Sequence, residues 1–147
     1  MDELAVSSWL GGDAVMLWIG KDQVFPLLLE FLLYEPLDEE LCLKAIQLIS
    51  VLVRNHPANQ MIAIQENIVH ALLSLARDYG FVADLGQWIC HTLLFLTYGS
   101  SDRLKLITEV ENAKDILEEF VGSLDWSAWE HNEAREILKV LEHSVIL

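Results

Sequence analysis

The chain has 147 residues, of which 53% are hydrophobic, with only three prolines and seven glycines; this is one domain's length with apolar side chains enough for a sizeable core, and it excludes a disordered or linker-rich chain. Its 23 acidic residues outnumber nine basic ones, for a formal net charge of −14, which argues against nucleic-acid binding through phosphates and against anionic membranes, and suits a basic peptide or protein partner. The apolar runs around Val24–Leu33 and Ala45–Val53 are interrupted by Pro26, Glu30, Gln47 and Ser50 and fall short of the roughly 20 residues needed to cross a bilayer.

From the N-terminus, Met1-Asp2-Glu3-Leu4 is acidic where a secretory signal is basic, and Gly11-Gly12-Asp13 breaks the apolar stretch that follows. An intracellular chain, cytoplasmic or nuclear, is expected. Residues 1–12 read as a short N-terminal cap, Asp13–Gly20 as a short helix, and Gln23–Tyr34 as a second helix with Pro26 in its first turn, where a missing N–H costs little. After the turn Glu35-Pro36-Leu37-Asp38, Asp38 caps a third helix with Glu39 and Glu40 against its dipole, and that helix ends near Arg54. Asn55-His56-Pro57-Ala58-Asn59 closes one helix and opens another, a short one over Gln60–Glu66. Asn67 stands where the chain must turn sharply and where asparagine tolerates a left-handed backbone. Helices then follow over Ile68–Arg77 and Ala83–Tyr98, separated by Tyr79-Gly80. Ser101-Asp102 caps a helix over Arg103–Val110, Asn112 or Ala113 starts the next, Gly122 ends it, and Glu130–His143 is the last. Strand alternation is nearly absent, so the fold class is all-α.

The helices repeat. At a shift of 44, Phe25, Leu28, Leu29 and Leu32 fall on Val69, Leu72, Leu73 and Ala76; at 45, Met61, Ile62, Glu66, Asn67 and Leu72 fall on Leu106, Ile107, Glu111, Asn112 and Leu117. A second segment keeps step: Ala45, Leu48, Ile49 and Val51 recur as Cys90, Leu93, Leu94 and Leu96, and again as Ala134, Ile137, Leu138 and Val140. Each comparison leaves one residue of ambiguity in register. A period of this length is the signature of a helical repeat array.

The pattern resembles the armadillo repeat, a HEAT-like unit of about 42 residues built from a short helix and two longer ones. Asn59 stands at the family's first asparagine, Asn67 at its glycine, and Val69-His70-Ala71-Leu72 at its Ile-Pro-x-Leu opening; Phe25-Pro26-Leu27-Leu28 matches that opening with the proline retained. The resemblance implies one domain, a right-handed α-solenoid of about three repeats over 13–56, 57–100 and 101–147, acting as a protein-binding scaffold or adaptor through its third helices. Gln47 and Val51, and in one register His91 and Phe95, stand where importin-type grooves carry a tryptophan and asparagine ladder. The ladder is missing, so classical nuclear-signal binding is not implied.

No catalytic, cofactor-binding or metal-ligating set is expected. His56, His70, His91, His131 and His143 are scattered and match no zinc spacing, no phosphate-binding or nucleophile motif occurs, and Glu109, Glu111, Glu118 and Glu119 read as solvent-facing. Cys42 and Cys90 read as reduced core cysteines. Trp18 and Trp88 read as core, while Trp9, Trp126 and Trp129 read as seals of the ends of the stack or as partner anchors. The tail Ser144-Val145-Ile146-Leu147 reads as packing on the last helix or as a strand-adding peptide. The candidate contacts are Lys44, Gln47, Arg54, Gln87, His91, Thr92, Glu136 and Lys139 with Trp126 and Trp129, offered to a protein or peptide, a basic one by charge. The alternatives are self-assembly, as a dimer or end to end, and a piece of a longer armadillo scaffold.

Overall fold

The computed structural model describes residues 21–146, with side chains over 24–143. The cap over 1–12, the short helix Asp13–Gly20, Trp9, Trp18 and the side chains of the tail lie outside the described residues.

Among these residues there are eight helices and no strand: α1 Lys21–Leu33, α2 Glu39–Val53, α3 Pro57–Gln65, α4 Ile68–Tyr79, α5 Leu85–Thr97, α6 Ser101–Thr108, α7 Ala113–Ser123 and α8 Glu133–Ile146. None of them is long and apolar enough to cross a membrane. Local chemistry accounts for the boundaries. Asp38 Oδ1 accepts the Leu41 N–H at 3.1 Å at the start of α2, where Glu39 and Glu40 meet the positive end of the helix dipole. Pro57 opens α3, and Asn67 and Asn112, at φ 62° and φ 66°, hold the left-handed turns that redirect the chain into α4 and α7.

Several boundaries differ from the sequence expectation: α3 opens at Pro57 and not Gln60, α4 runs on to Tyr79 past Arg77, and α5 opens at Leu85 and not Ala83. Pro26 lies in the second turn of α1, because that helix already runs from Lys21. The cap of α6 is Ser100, whose Oγ accepts the Arg103 N–H at 3.3 Å, and not Ser101-Asp102. The last helix begins at Glu133, not Glu130, because Asn132 holds its start: Oδ1 accepts the Arg135 N–H at 3.1 Å while Nδ2 donates to the Val121 carbonyl at 3.0 Å. Residues 124–132 are thereby kept as a turn, tied to α7 also by Trp126 Nε1 donating to the Phe120 carbonyl at 2.9 Å.

The helices pack in two rows. In one, α2 lies against α5 and α5 against α8; in the other, α1 lies against α4 and α4 against α7. The core fills the space between the rows, with Phe25, Leu28, Ile46, Ile49, Leu72, Ile89 and Phe120 fully buried. The short helices seat at the joins, α3 against α1 and α2, and α6 against α4 and α5.

Burial settles the register between α2 and α5. Cys42 and Gly86, Ala45 and Ile89, Ile46 and Cys90, Leu48 and Thr92, Ile49 and Leu93, Leu52 and Leu96, and Val53 and Thr97 are all buried, each pair 44 residues apart. The 45-residue pairing of Ala45 with Cys90 would instead set Val53, 0% exposed, on Tyr98, 72% exposed. The same 44-residue offset recurs in polar contacts. Asn59 Nδ2 in α3 donates to the Leu52 carbonyl at 2.8 Å, and Arg103 Nη1 in α6 donates to the Leu96 carbonyl at 3.4 Å. Each donor satisfies a carbonyl in the last turn of a long helix, which has no partner within that helix. Gln60 Nε2 adds a bond to the Val53 carbonyl at 2.8 Å, and its Oε1 accepts from Arg103 Nη1 at 2.9 Å, so α3 and α6 are also joined to each other.

Candidate interaction face

With the 44-residue register, three of the residues of α2 that are not buried, Lys44, Gln47 and Val51, correspond to Trp88, His91 and Phe95 of α5. The spacing of three and four residues puts each trio on one helical stripe. On α5 that stripe is aromatic. His91 is its centre: its ring centroid lies 4.6 Å from Phe95, 5.3 Å from Trp129 and 5.5 Å from Trp88, all edge-on. Trp129 continues the ledge, 5.1 Å from Trp88 and 6.0 Å from Trp126. Edge-to-face contacts of this kind add roughly 0.5–1.5 kcal/mol each beyond the area they bury.

Charge surrounds the rings. His91 Nδ1 donates to Glu133 Oε1 at 3.1 Å, joining α5 to α8, and the two side chains are only 18% and 12% exposed. On the other side the Arg54 guanidinium sits 5.2 Å from the centre of the Phe95 ring, a cation over an aromatic face. Lys44 pairs with Glu40 at 3.4 Å and Lys139 with Glu136 at 3.7 Å, both in the open, where such pairs contribute little.

The structure thus brings Arg54, His91 and Trp129 into one cluster, with Lys44 and Gln47 beside it on α2 and Glu136 and Lys139 on α8. Two candidates do not belong to the face. Gln87 and Thr92 are buried, 4% and 0% exposed, because they fall on the inward side of α5 in the 44-residue register. Thr92 Oγ1 donates to the Trp88 carbonyl at 2.8 Å. Gln87 Nε2 donates to the Asp125 carbonyl at 3.0 Å and pins the turn that carries the two tryptophans; its Oε1 has no hydrogen-bond partner. Trp129 packs edge-on against Trp88 and His91 of α5, while Trp126 meets Trp129 and donates Nε1 to the Phe120 carbonyl of α7. Trp88, expected in the core, is half-buried at the ledge, and Phe95 joins it there. The signal that finds both is the i, i+3, i+7 spacing of Trp88, His91 and Phe95 opposite Lys44, Gln47 and Val51.

Both cysteines are reduced and buried. Burial, with the nearby charge of Asp38, raises the Cys42 thiol from 9.0 to about 11, and burial followed by the charge of Glu133 raises Cys90 as well. Neither is a thiolate nucleophile at neutral pH. Among the described residues no three histidines, cysteines or carboxylates gather as a metal site.

No protein-family model matches the chain, and neither does any curated protein or solved structure.

Proposed function

We propose that the chain is a right-handed α-solenoid of three armadillo-like units, and that it works as a non-catalytic interaction module whose α2, α5 and α8 face receives a basic peptide or helix. The two rows of long helices, the 44-residue recurrence of burial and the paired left-handed asparagines support the architectural part. The functional part is carried by the half-buried ledge of Trp88, His91, Phe95 and Trp129, flanked by Glu133 and Glu136. Rings held rigid by one another lose little conformational freedom on binding, and their faces attract ammonium and guanidinium groups. Arg54 over Phe95 is an intramolecular instance of that recognition. Aromatic anchors would supply affinity, and the net charge of −14 would steer basic partners in and reject acidic ones.

The test is affinity purification at low and moderate salt with the parent chain and with a Phe95→Ala, Glu136→Lys double variant, both checked for unchanged helicity. Basic partners held by the parent, weakened by salt and lost with the variant support the reading. Equal capture by both chains rejects this face.

A further inference from the structure

Three cations flank the α2, α5 and α8 face, and the fold treats them differently. Lys44 and Lys139 turn to carboxylates on their own helices, Glu40 at 3.4 Å and Glu136 at 3.7 Å. Arg54 is exposed and forms no ion pair among the described residues; its guanidinium lies instead 5.2 Å from the centre of the Phe95 ring. An ammonium is compact and strongly hydrated, whereas a guanidinium is planar, weakly hydrated and able to lie flat on a ring while its edge N–H groups stay free.

The ledge suits the second kind of cation. Trp88, His91, Phe95 and Trp129 stand edge-on, with neighbouring ring centroids 4.6–5.5 Å apart, which is ring-to-ring contact. No gap between them can enclose an ammonium group, so a ligand lies on their outer faces rather than among them. Beside this aromatic row runs a carboxylate row. Helix α8 packs on α5, and Ala134, Ile137 and Leu141 take its inward side. That leaves Glu133, Glu136 and Val140 on the stripe next to the ledge, with the same three- and four-residue spacing as Trp88, His91 and Phe95. Glu133 is committed to His91 at 3.1 Å. Among the described residues the Glu136 carboxylate holds only the open 3.7 Å pair with Lys139, which a better partner displaces at little cost.

We infer that the face selects arginine over lysine in the basic segment it receives. The guanidinium stacks on the outer face of Trp88 or Trp129 and turns its N–H fork toward the Glu136 carboxylate, combining a stacking contact with a charged hydrogen bond; a lysine ammonium offers no flat face for the first and no fork for the second. This selectivity rests on the face being the receptor for a basic peptide, as proposed above, and adds which base is read.

Two labelled synthetic peptides of equal length and charge test it, one with arginines and one with lysines between Gly-Ser spacers, titrated with the full-length protein at moderate salt and followed by fluorescence anisotropy. The arginine peptide should bind at least about tenfold more tightly, a difference of roughly 1.4 kcal/mol. Glu136→Gln, at a part-exposed carboxylate, and Trp129→Leu, checked for unchanged helicity, should each reduce that preference to less than about threefold, chiefly by weakening the arginine peptide. The indole N–H resonances of Trp88 and Trp129 should move with the arginine peptide. Equal affinity for the two peptides overturns the selectivity while leaving a basic-peptide face standing; binding of neither removes the face itself and the selectivity with it. An arginine preference untouched by both variants also overturns it, because arginine is then read elsewhere on the chain.

Discussion

Replacing Gly86 by alanine tests the crossing that carries the aromatic ledge. Gly86 lies in the first turn of α5, and its N–H donates to the Gly80 carbonyl just past α4 at 3.1 Å. A Cβ there would fall 2.5 Å from that carbonyl oxygen and 2.7 Å from Leu124 Cδ1. The leucine tip can rotate away; the carbonyl is backbone, and moving it lengthens the bond that satisfies an otherwise orphaned helix N–H. Overpacking costs about 1–3 kcal/mol, and the weakened hydrogen bond adds about 1 kcal/mol. Alanine returns at most about 1 kcal/mol in helix propensity, leaving a net loss of about 1–3 kcal/mol. At roughly 2–4 °C per kcal/mol for a chain of this size, the melting temperature should drop clearly. Gly122, inside α7, is the control, since a Cβ there meets nothing within 4 Å. Only the propensity gain operates, so Gly122→Ala should stabilise by about 0.5–1 kcal/mol. Urea denaturation followed by far-UV circular dichroism measures both. A Gly86→Ala protein as stable as its parent refutes the close approach of Gly86 to the Gly80 carbonyl, and a Gly122→Ala protein less stable refutes the open space beside α7 at Gly122.

Arg103→Ala removes the bonds to Gln60 and Leu96 that tie α6 to α3 and α5, and should cost about 1–3 kcal/mol in urea unfolding, in the range for charged donors. Ala83 has φ 45°, a left-handed conformation that costs a side chain about 1–2 kcal/mol; Ala83→Gly should therefore raise stability by about 0.5–1 kcal/mol after glycine's greater unfolded-state entropy is counted, and a loss would show that the turn is not strained. Cys42 and Cys90, both buried, should resist a thiol-specific reagent at about pH 8 until denaturant is added, because only the exposed thiolate reacts. The Cys42 thiol is raised from 9.0 to about 11 in the fold, so the unfolded chain releases that proton first as pH rises. Its contribution to stability is therefore present below pH 9.0 and falls between 9.0 and about 11. The urea midpoint should decline over that window, and less steeply in Cys42→Ala.

Features set by local chemistry were readable from the chain alone. Asp38 caps α2 and Asn67 turns left-handed because each depends on its own backbone and near neighbours. What failed depended on which side of a helix meets which neighbour. The one-residue ambiguity in register is a rotation of about 100° on a helix, enough to exchange the buried Thr92 for the ledge residues His91 and Phe95. Trp88 reads as core by size and hydrophobicity, and only the fold-back of the 124–132 turn brings Trp129 to meet it at the surface. That turn is itself held by Gln87 and Asn132 reaching 38 and 11 residues along the chain, and no periodicity carries such information.

The downstream donors of Asn59 and Arg103 also give the fold a direction in time. While the protein is being synthesised, α2 can be complete as a helix before the residues that bind its last carbonyls exist, and α5 likewise awaits Arg103. Each long helix therefore leaves the ribosome with an unfinished end, and its consolidation trails synthesis by one short helix. A chain ending just after residue 98 would hold α5 in that frayed condition, with Arg54 available to Phe95 but Trp129 and Glu133 absent from the ledge.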